Sequence, residues 1–233
     1  MKKIGIMIFV AAMVIGLVAA NMFSSGRAFG KLFNFSLNFG GVHGSGNVVS
    51  EKRGLSGFKA VDVGGVFQIE ITSQKEFGVE VEADDNLLPL IKTEVRNGIL
   101  NIETERKLSS SNPLRVRISA PDIDKLEVSG AANVILKDLK NSGLSVDSSG
   151  ASKIKISGET EKLTVDVSGA TKVDAESLTA ENATVDARGA SHVNVNVTGQ
   201  LRSDASGASK IVYSGSPVSV EKKTSGASSV SPK

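Results

Sequence analysis

Cysteine and tryptophan are absent from the 233 residues, tyrosine occurs once and histidine twice. Without cysteine no disulfide can staple the fold, so its stability must come from packing and backbone pairing. The same absence excludes a Cys–His pair and a cysteine-anchored lipoprotein. Aromatic residues make up only 4% of the chain, so flat stacking surfaces for sugar rings are scarce. The formal net charge is +2, and no dense basic stripe with interleaved aromatics occurs, which argues against nucleic acid as a partner. No Gly-x-Ser-x-Gly elbow appears in a strand-to-helix context. The glycine-rich turns are spaced for coils and do not form a phosphate loop followed by a helix.

What is present begins with Lys2 and Lys3, an apolar run from Ile4 to Ala20, and the small residues Val18-Ala19-Ala20. Residues 1–20 therefore read as a secretory signal peptide, or as a signal anchor if cleavage does not occur. Export to the periplasm, the cell surface or the medium is expected, with membrane contact only through this segment. Residues 21–46 are rich in Gly, Ser, Asn and Phe and read as a linker or N-terminal arm. Within it Phe33, Phe35, Leu37 and Phe39 alternate with polar residues, as one face of a short strand would. A single β domain is expected over 47–233.

Its first part is less regular. "VFQIEIT", "FGVEVEA", "GILNIETE" and "LRVRISA" alternate apolar and polar residues, as half-buried strands do. "DDNLLPLIKTEVRNG" breaks the alternation: Asp84, Asp85 and Asn86 are available as caps, and Pro89 restricts any helix to a short turn.

From about residue 121 the chain repeats. A Ser/Arg-Gly-Ala motif recurs at Gly130, Gly150, Gly169, Gly189, Gly207 and Gly226, at spacings of 20, 19, 20, 18 and 19. A fixed period near twenty with alternation inside each unit predicts a β-solenoid whose coils bury their apolar faces only against neighbouring coils. Aligned on the glycine, Leu144, Leu163, Ala183 and Leu201 lie six residues before it. Leu126, Val146, Val165 and Val185 lie four before, and Val134, Ile154, Val173, Val193 and Ile211 four after. Two before come Val128, Val167, Ala187 and Ala205, with Ser148 as the exception. These sets predict interior ladders about 4.8 Å apart. The glycine is read as the structural turn, for which it supplies the dihedrals. The alanine after it is read as facing a narrow interior edge, so that alternation flips at the corner. Gly158, Gly199, Gly215 and Pro217 suggest a second bend.

"GSGNVVSEKRGLSGF", "NLLPLIKTEVRNGILNI", "VRISAPDIDKLEVSGAANV" and the Ser-Gly-Ala coils together closely resemble the head GIN domain family, whose members are also called "putative auto-transporter adhesins". The resemblance covers residues 44 to 233. It implies a right-handed, pectin-lyase-like parallel β-helix, a bacterial exported protein, a role in cell adhesion and no recognised catalytic residues.

Two features could carry chemistry. Three residues before the glycine stand Asp147, Asp166, Asp186 and Asp204, with Glu127 and Asp62 as candidate equivalents. Such a ladder fits either Ca²⁺, which takes six to eight oxygen ligands, or a structural ladder offset by Lys153, Lys172, His192 and Lys210 across the bend. The Gly-Gly-x-Gly-x-Asp motif and nine-residue period of Ca²⁺-binding β-rolls are missing. The second feature is "DARGASH". Asp186, Arg188 and His192 cluster on one coil and are the best enzyme candidate: a polysaccharide lyase on a similar fold would use Arg188 as base or clamp and Asp166 and Asp186 as Ca²⁺ ligands. Against that stands ordinary drift at exposed repeat positions. The reading adopted is a non-catalytic adhesin or binding module with no cofactor or bound metal, whose partners are surface glycans or envelope proteins. A structural envelope protein and a pectin-lyase-like carbohydrate-active enzyme remain the alternatives. Self-association through the ends of the β-helix is a further expectation, since an open strand edge can pair with another copy.

Overall fold

Apolar side chains at every second position leave two opposite surfaces on each strand, and here the apolar surfaces all turn to one interior column. The structure, a computed structural model, describes residues 41–233; the signal segment and the Phe33–Phe39 alternation lie outside them. The N-terminal part contains β1 (Val42–His43), β2 (Val48–Arg53), β3 (Ala60–Gly65), β4 (Gln68–Thr72) and β5 (Gly78–Asp84). A single 3₁₀ turn at Leu88–Leu90 follows, then β6 (Ile91–Arg96), β7 (Ile99–Thr104), β8 (Leu108–Ser109) and β9 (Arg115–Ser119). The repeats form β10 (Lys125–Gly130), β11 (Asn133–Asn141), β12 (Leu144–Gly150), β13 (Lys153–Gly169) and β14 (Lys172–Ala187). They continue through β15 (His192–Val197), β16 (Gln200–Ala205), β17 (Lys210–Gly215), β18 (Ser219–Thr224) and β19 (Ser229–Pro232).

The repeats wind as a β-solenoid of about five turns. Strands leading into the glycine motif make a first face, in the parallel order β7, β3, β10, β12, β13, β14, β16, β18. Strands leaving it make a second face, in the order β9, β4, β11, β13, β14, β15, β17, β19. β13 and β14 belong to both faces because each runs unbroken through the second bend. Register slips there, between Leu136 and Leu139, Lys155 and Ser157, and Ala175 and Thr179. Gly158 and Gly215 take positive φ at this bend, whereas Gly199 does not.

The first coils are stacked out of chain order. β7 and β9 lie beneath β3 and β4, although they follow them in sequence, and β10 returns to pair with the other edge of β3. The excursion between supplies a seal. β5 runs antiparallel on β9 with β2 beyond it, and β6 runs antiparallel on β7. The edges of β7 and β9 are thereby covered, and the antiparallel strands β2 and β6 become the outermost at this end. At the other end β18 and β19 pair on one side only among the described residues.

The motif glycines form one column, and Gly65 joins it in register with Gly130. Their φ values run from +111° at Gly130 to +73° at Gly226. A Cβ on Gly150, Gly169 or Gly189 would stand 2.4–2.6 Å from the carbonyl oxygen of the glycine one coil below. Left-handed dihedrals and backbone contact both require glycine here.

The structure overturns the reading of the corner alanine. Ala131, Ala151, Ala170, Ala190, Ala208 and Ala227 are exposed, and the buried position is the next one. Ala132, Ser152, Thr171, Ser191 and Ser209 are all at most 2% exposed. Inward positions therefore stay an even number of residues from the glycine on both sides, and alternation does not flip. The reason is hydrogen bonding. The Ser191 hydroxyl donates to the Arg188 carbonyl at 2.9 Å, and that of Ser228 to Ala205 and Ser225 at 2.7 and 2.8 Å. Each such hydroxyl gives a corner carbonyl a donor and finds its own partner on burial, so a small polar residue is accommodated where apolarity alone would choose alanine, as at Ala132. Ser148, the exception among the inward positions, is buried opposite Thr171, the two hydroxyls 3.3 Å apart.

The 3₁₀ turn is as short as Pro89 demands, but Asp84, Asp85 and Asn86 do not cap it; Leu87 occupies that position without a side-chain cap. Asp84 instead accepts from Ser110 Oγ at 2.6 Å and Asn112 Nδ2 at 2.8 Å. Asp85 accepts from Ser45 Oγ at 2.5 Å and Asn47 Nδ2 at 3.0 Å. The two carboxylates fasten the loops that flank β1 and β8, and these hydrogen bonds hold both below their ordinary pKa.

Candidate functional site

Because every coil repeats the same register, a side chain type chosen for one outward position becomes a column. On the first face the outward column Asp62–Glu127–Asp147–Asp166–Asp186–Asp204 contains six acids on successive coils. Stacked carboxylates about 4.8 Å apart repel by roughly 1 kcal/mol per neighbouring pair in a water-like dielectric. The repulsion is visible at Asp62, whose pKa is raised first by burial and then by Glu127 and Glu103.

Offsetting cations come from the first face itself. Lys125 Nζ lies 2.7 Å from Glu127 and 3.8 Å from Asp147, and its pKa is raised chiefly by the hydrogen bond to Glu127. Arg188 Nη1 lies 2.9 and 3.3 Å from the two oxygens of Asp166. No ion pair among the described residues joins this column to Lys153, Lys172, His192 or Lys210.

Those four form a separate column on the second face, which reads Arg115–Gln68–Asn133–Lys153–Lys172–His192–Lys210–Ser229 with no acid in it. Two residues along each strand, the neighbouring column reads Arg117–Glu70–Ile135–Lys155–Asp174–Asn194–Val212–Ser231. Glu70 is hydrogen-bonded to Lys137, and that bond lowers its pKa. Glu82 takes Arg115 at 2.6 Å and Arg117 at 3.1 Å, and its pKa is lowered first by the Arg115 hydrogen bond. Between the two columns runs an open groove of about 540 Å³, lined in part by Lys153, Lys155, Lys172, Asp174 and Ile135.

The "DARGASH" residues divide between the faces. Asp166, Asp186 and Arg188 belong to the first, with the Arg188 side chain bound to Asp166. His192 lies beyond the corner, in register between Lys172 and Lys210. The structural-turn glycines stand in the column between the faces. No group of three or more His, Asp or Glu side chains converges closely enough to hold a metal ion among the described residues. In the sequence the basic positions stand out only as a counterweight to the acids; the signal that they form an acid-free column was the shared offset of three residues after each glycine.

Stacked parallel strands, with a run of acids on one face and an acid-free basic column on the other, define a β-solenoid. The family model described as "Putative auto-transporter adhesin, head GIN domain" matches residues 57–217, more than half of the chain, and the chain belongs to that family. A crystal structure titled a putative adhesin from Bacteroides fragilis is similar to it, with TM-score 0.71 and 20% identity, covering 83% of this chain and 100% of that one. A second, titled a putative adhesin from Parabacteroides merdae, has TM-score 0.52 and 17% identity, covering 82% of this chain and 98% of that one. At these identities the likeness is one of fold. No curated protein matches the chain in sequence. The family and these solved structures are named adhesins rather than enzymes. Among the described residues no helix is long and apolar enough to cross a membrane.

Proposed function

We propose that the chain is an exported, non-catalytic binding module that attaches to a cell surface or envelope component through the outward columns of its solenoid. The observation that supports this reading most directly is repetition. A reaction centre needs one convergent constellation, whereas binding an extended partner needs the same weak contact many times over. The columns provide the second arrangement and divide the nearest approach to the first, Asp166, Asp186, Arg188 and His192, between two faces. The membership in an adhesin-named family supports the same reading. The initial apolar segment carries the export half of it, and the partners are surface glycans or envelope proteins.

The full chain is tested for binding to immobilised glycans and to cells, with and without Ca²⁺, alongside an assay for turnover of uronate polymers. Saturable binding without turnover is the expected result. Turnover that disappears in Arg188→Ala would make the chain an enzyme, and absence of binding to every surface would leave a structural envelope role.

A further inference from the structure

We infer that the groove on the second face binds a linear anionic polysaccharide, laid along the solenoid axis across successive coils. The inference rests on the binding-module reading and names its ligand class. Lys153, Lys172, His192 and Lys210 stand in register on four consecutive coils; Lys153 and Lys172 line the groove, and His192 and Lys210 continue the same column beyond it. At about 4.8 Å per strand the column spans roughly 14 Å over three steps. Lys155 stands beside it in the neighbouring column. None of the four lysines has a carboxylate partner within 4.0 Å among the described residues. Elsewhere on this face the charges are internally matched, Glu70 with Lys137 and Glu82 with Arg115 and Arg117. Asp174, beside Lys155, is the one carboxylate lining the unmatched stretch. The positive surplus is thus local, although the net charge of the whole chain is only +2.

The polymer class follows from the groove's chemistry. Its lining contains no aromatic side chain, so it offers no platform on which bases could stack, which single-stranded nucleic acids require. A chain of sugars bearing one carboxylate or sulfate per unit brings both charge for the lysines and hydroxyls, which suit Asn133 and Gln68 as amide partners. Ile135, 39% exposed, gives an apolar patch within the groove for the face of a sugar ring.

The full chain is titrated with polygalacturonate, dextran sulfate and neutral dextran at about 20 mM and 200 mM salt. Saltier buffer should weaken the binding, because the contacts are ionic and exposed. The expected result is saturable binding to at least one anionic polymer and none to dextran. The variant Lys153→Glu/Lys172→Glu/Lys210→Glu should bind at least tenfold more weakly. Lys162→Glu/Arg202→Glu/Lys223→Glu, with the same change in net charge on the first face, should bind within about twofold of the parent. Equal loss in both variants, or no binding to either anionic polymer, overturns the inference. Self-association in low salt without polymer, abolished by the first variant, would mean that the face instead meets the acidic column of a second copy. Cell binding that survives the first variant would preserve the binding-module reading and remove this groove as its cause.

Discussion

Replacing a corner glycine by alanine tests why the repeat exists. Gly169 has φ of +88°, and an added Cβ would stand 2.4 Å from the Gly150 carbonyl oxygen. Contacts become ordinary only from 3.4 Å, so the coils must part locally by about 1 Å. The obstructing oxygen is not free to move, because it already accepts the Ala170 N–H at 2.8 Å. The left-handed dihedral costs about 1–2 kcal/mol for a residue with a Cβ. Losing one or two backbone hydrogen bonds adds about 1 kcal/mol each. Gly169→Ala should therefore destabilise by about 3 kcal/mol, or about 6–12 °C in Tm for a domain of this size. Two controls separate the causes. Gly57 has φ of +78° with nothing within 4 Å of a Cβ, so Gly57→Ala carries the dihedral cost alone. Gly199 has no positive φ but would meet the Glu181 oxygen at 2.7 Å, so Gly199→Ala carries the clash alone. Thermal unfolding followed by far-UV circular dichroism reads all three. If Gly169→Ala costs no more than Gly57→Ala, close approach between coils is not what demands glycine, and the stacking argument fails.

The inverted corner makes a paired prediction for urea unfolding. Ser191→Ala should cost about 1 kcal/mol through its lost hydroxyl donor, while Ala170→Gln should change stability by less than about 0.5 kcal/mol because that side chain is exposed. Asp62→Asn should raise Tm at neutral pH. The native pKa of Asp62 lies above the ordinary value of 3.8, so its charged form penalises the fold, and the gain should fade as pH falls through the carboxylate range and the native residue takes up its proton. Asp84 has the opposite sign. Its pKa is held down by Ser110 and Asn112, so its contribution is complete above the unfolded pKa and lost as pH drops through the folded one. Asp84→Asn should accordingly lower Tm at neutral pH and flatten the acid limb of the stability curve; an unchanged acid limb would show that the carboxylate does not fasten the loops.

Much of the solenoid could be read from one chain because each coil restates its neighbour: the Leu163, Val165, Val167 spacing recurs until chance is excluded. Two things could not be read. The corner slot filled by Ser152, Thr171, Ser191 and Ser209 is buried for the sake of carbonyls that only the folded corner aims inward, and residue polarity points the wrong way there. The N-terminal coils were hidden because Gly64-Gly65 replaces Ser-Gly and because the strand that stacks on β3 lies 65 positions further along the chain, Gly130 against Gly65. The strands β4, β5, β7 and β9 were legible from alternation, but their spatial order depends on long-range pairing that no local pattern records. The charged columns were legible as positions. Which face each occupies, and which cations are already engaged, depended on the bend between them.

The antiparallel strands over β7 and β9 also set the direction in which such a molecule can lengthen in evolution. A duplicated unit of about nineteen residues cannot be added beneath a sealed end without dismantling it. Inserted among the later coils it needs only to match the glycine column and the interior ladder of its two neighbours. Each insertion adds one strand spacing of height and one more rung to every outward column. The reach of the rod and the number of contacts it offers therefore grow in the same step, and the sealed base lets both vary without a new core.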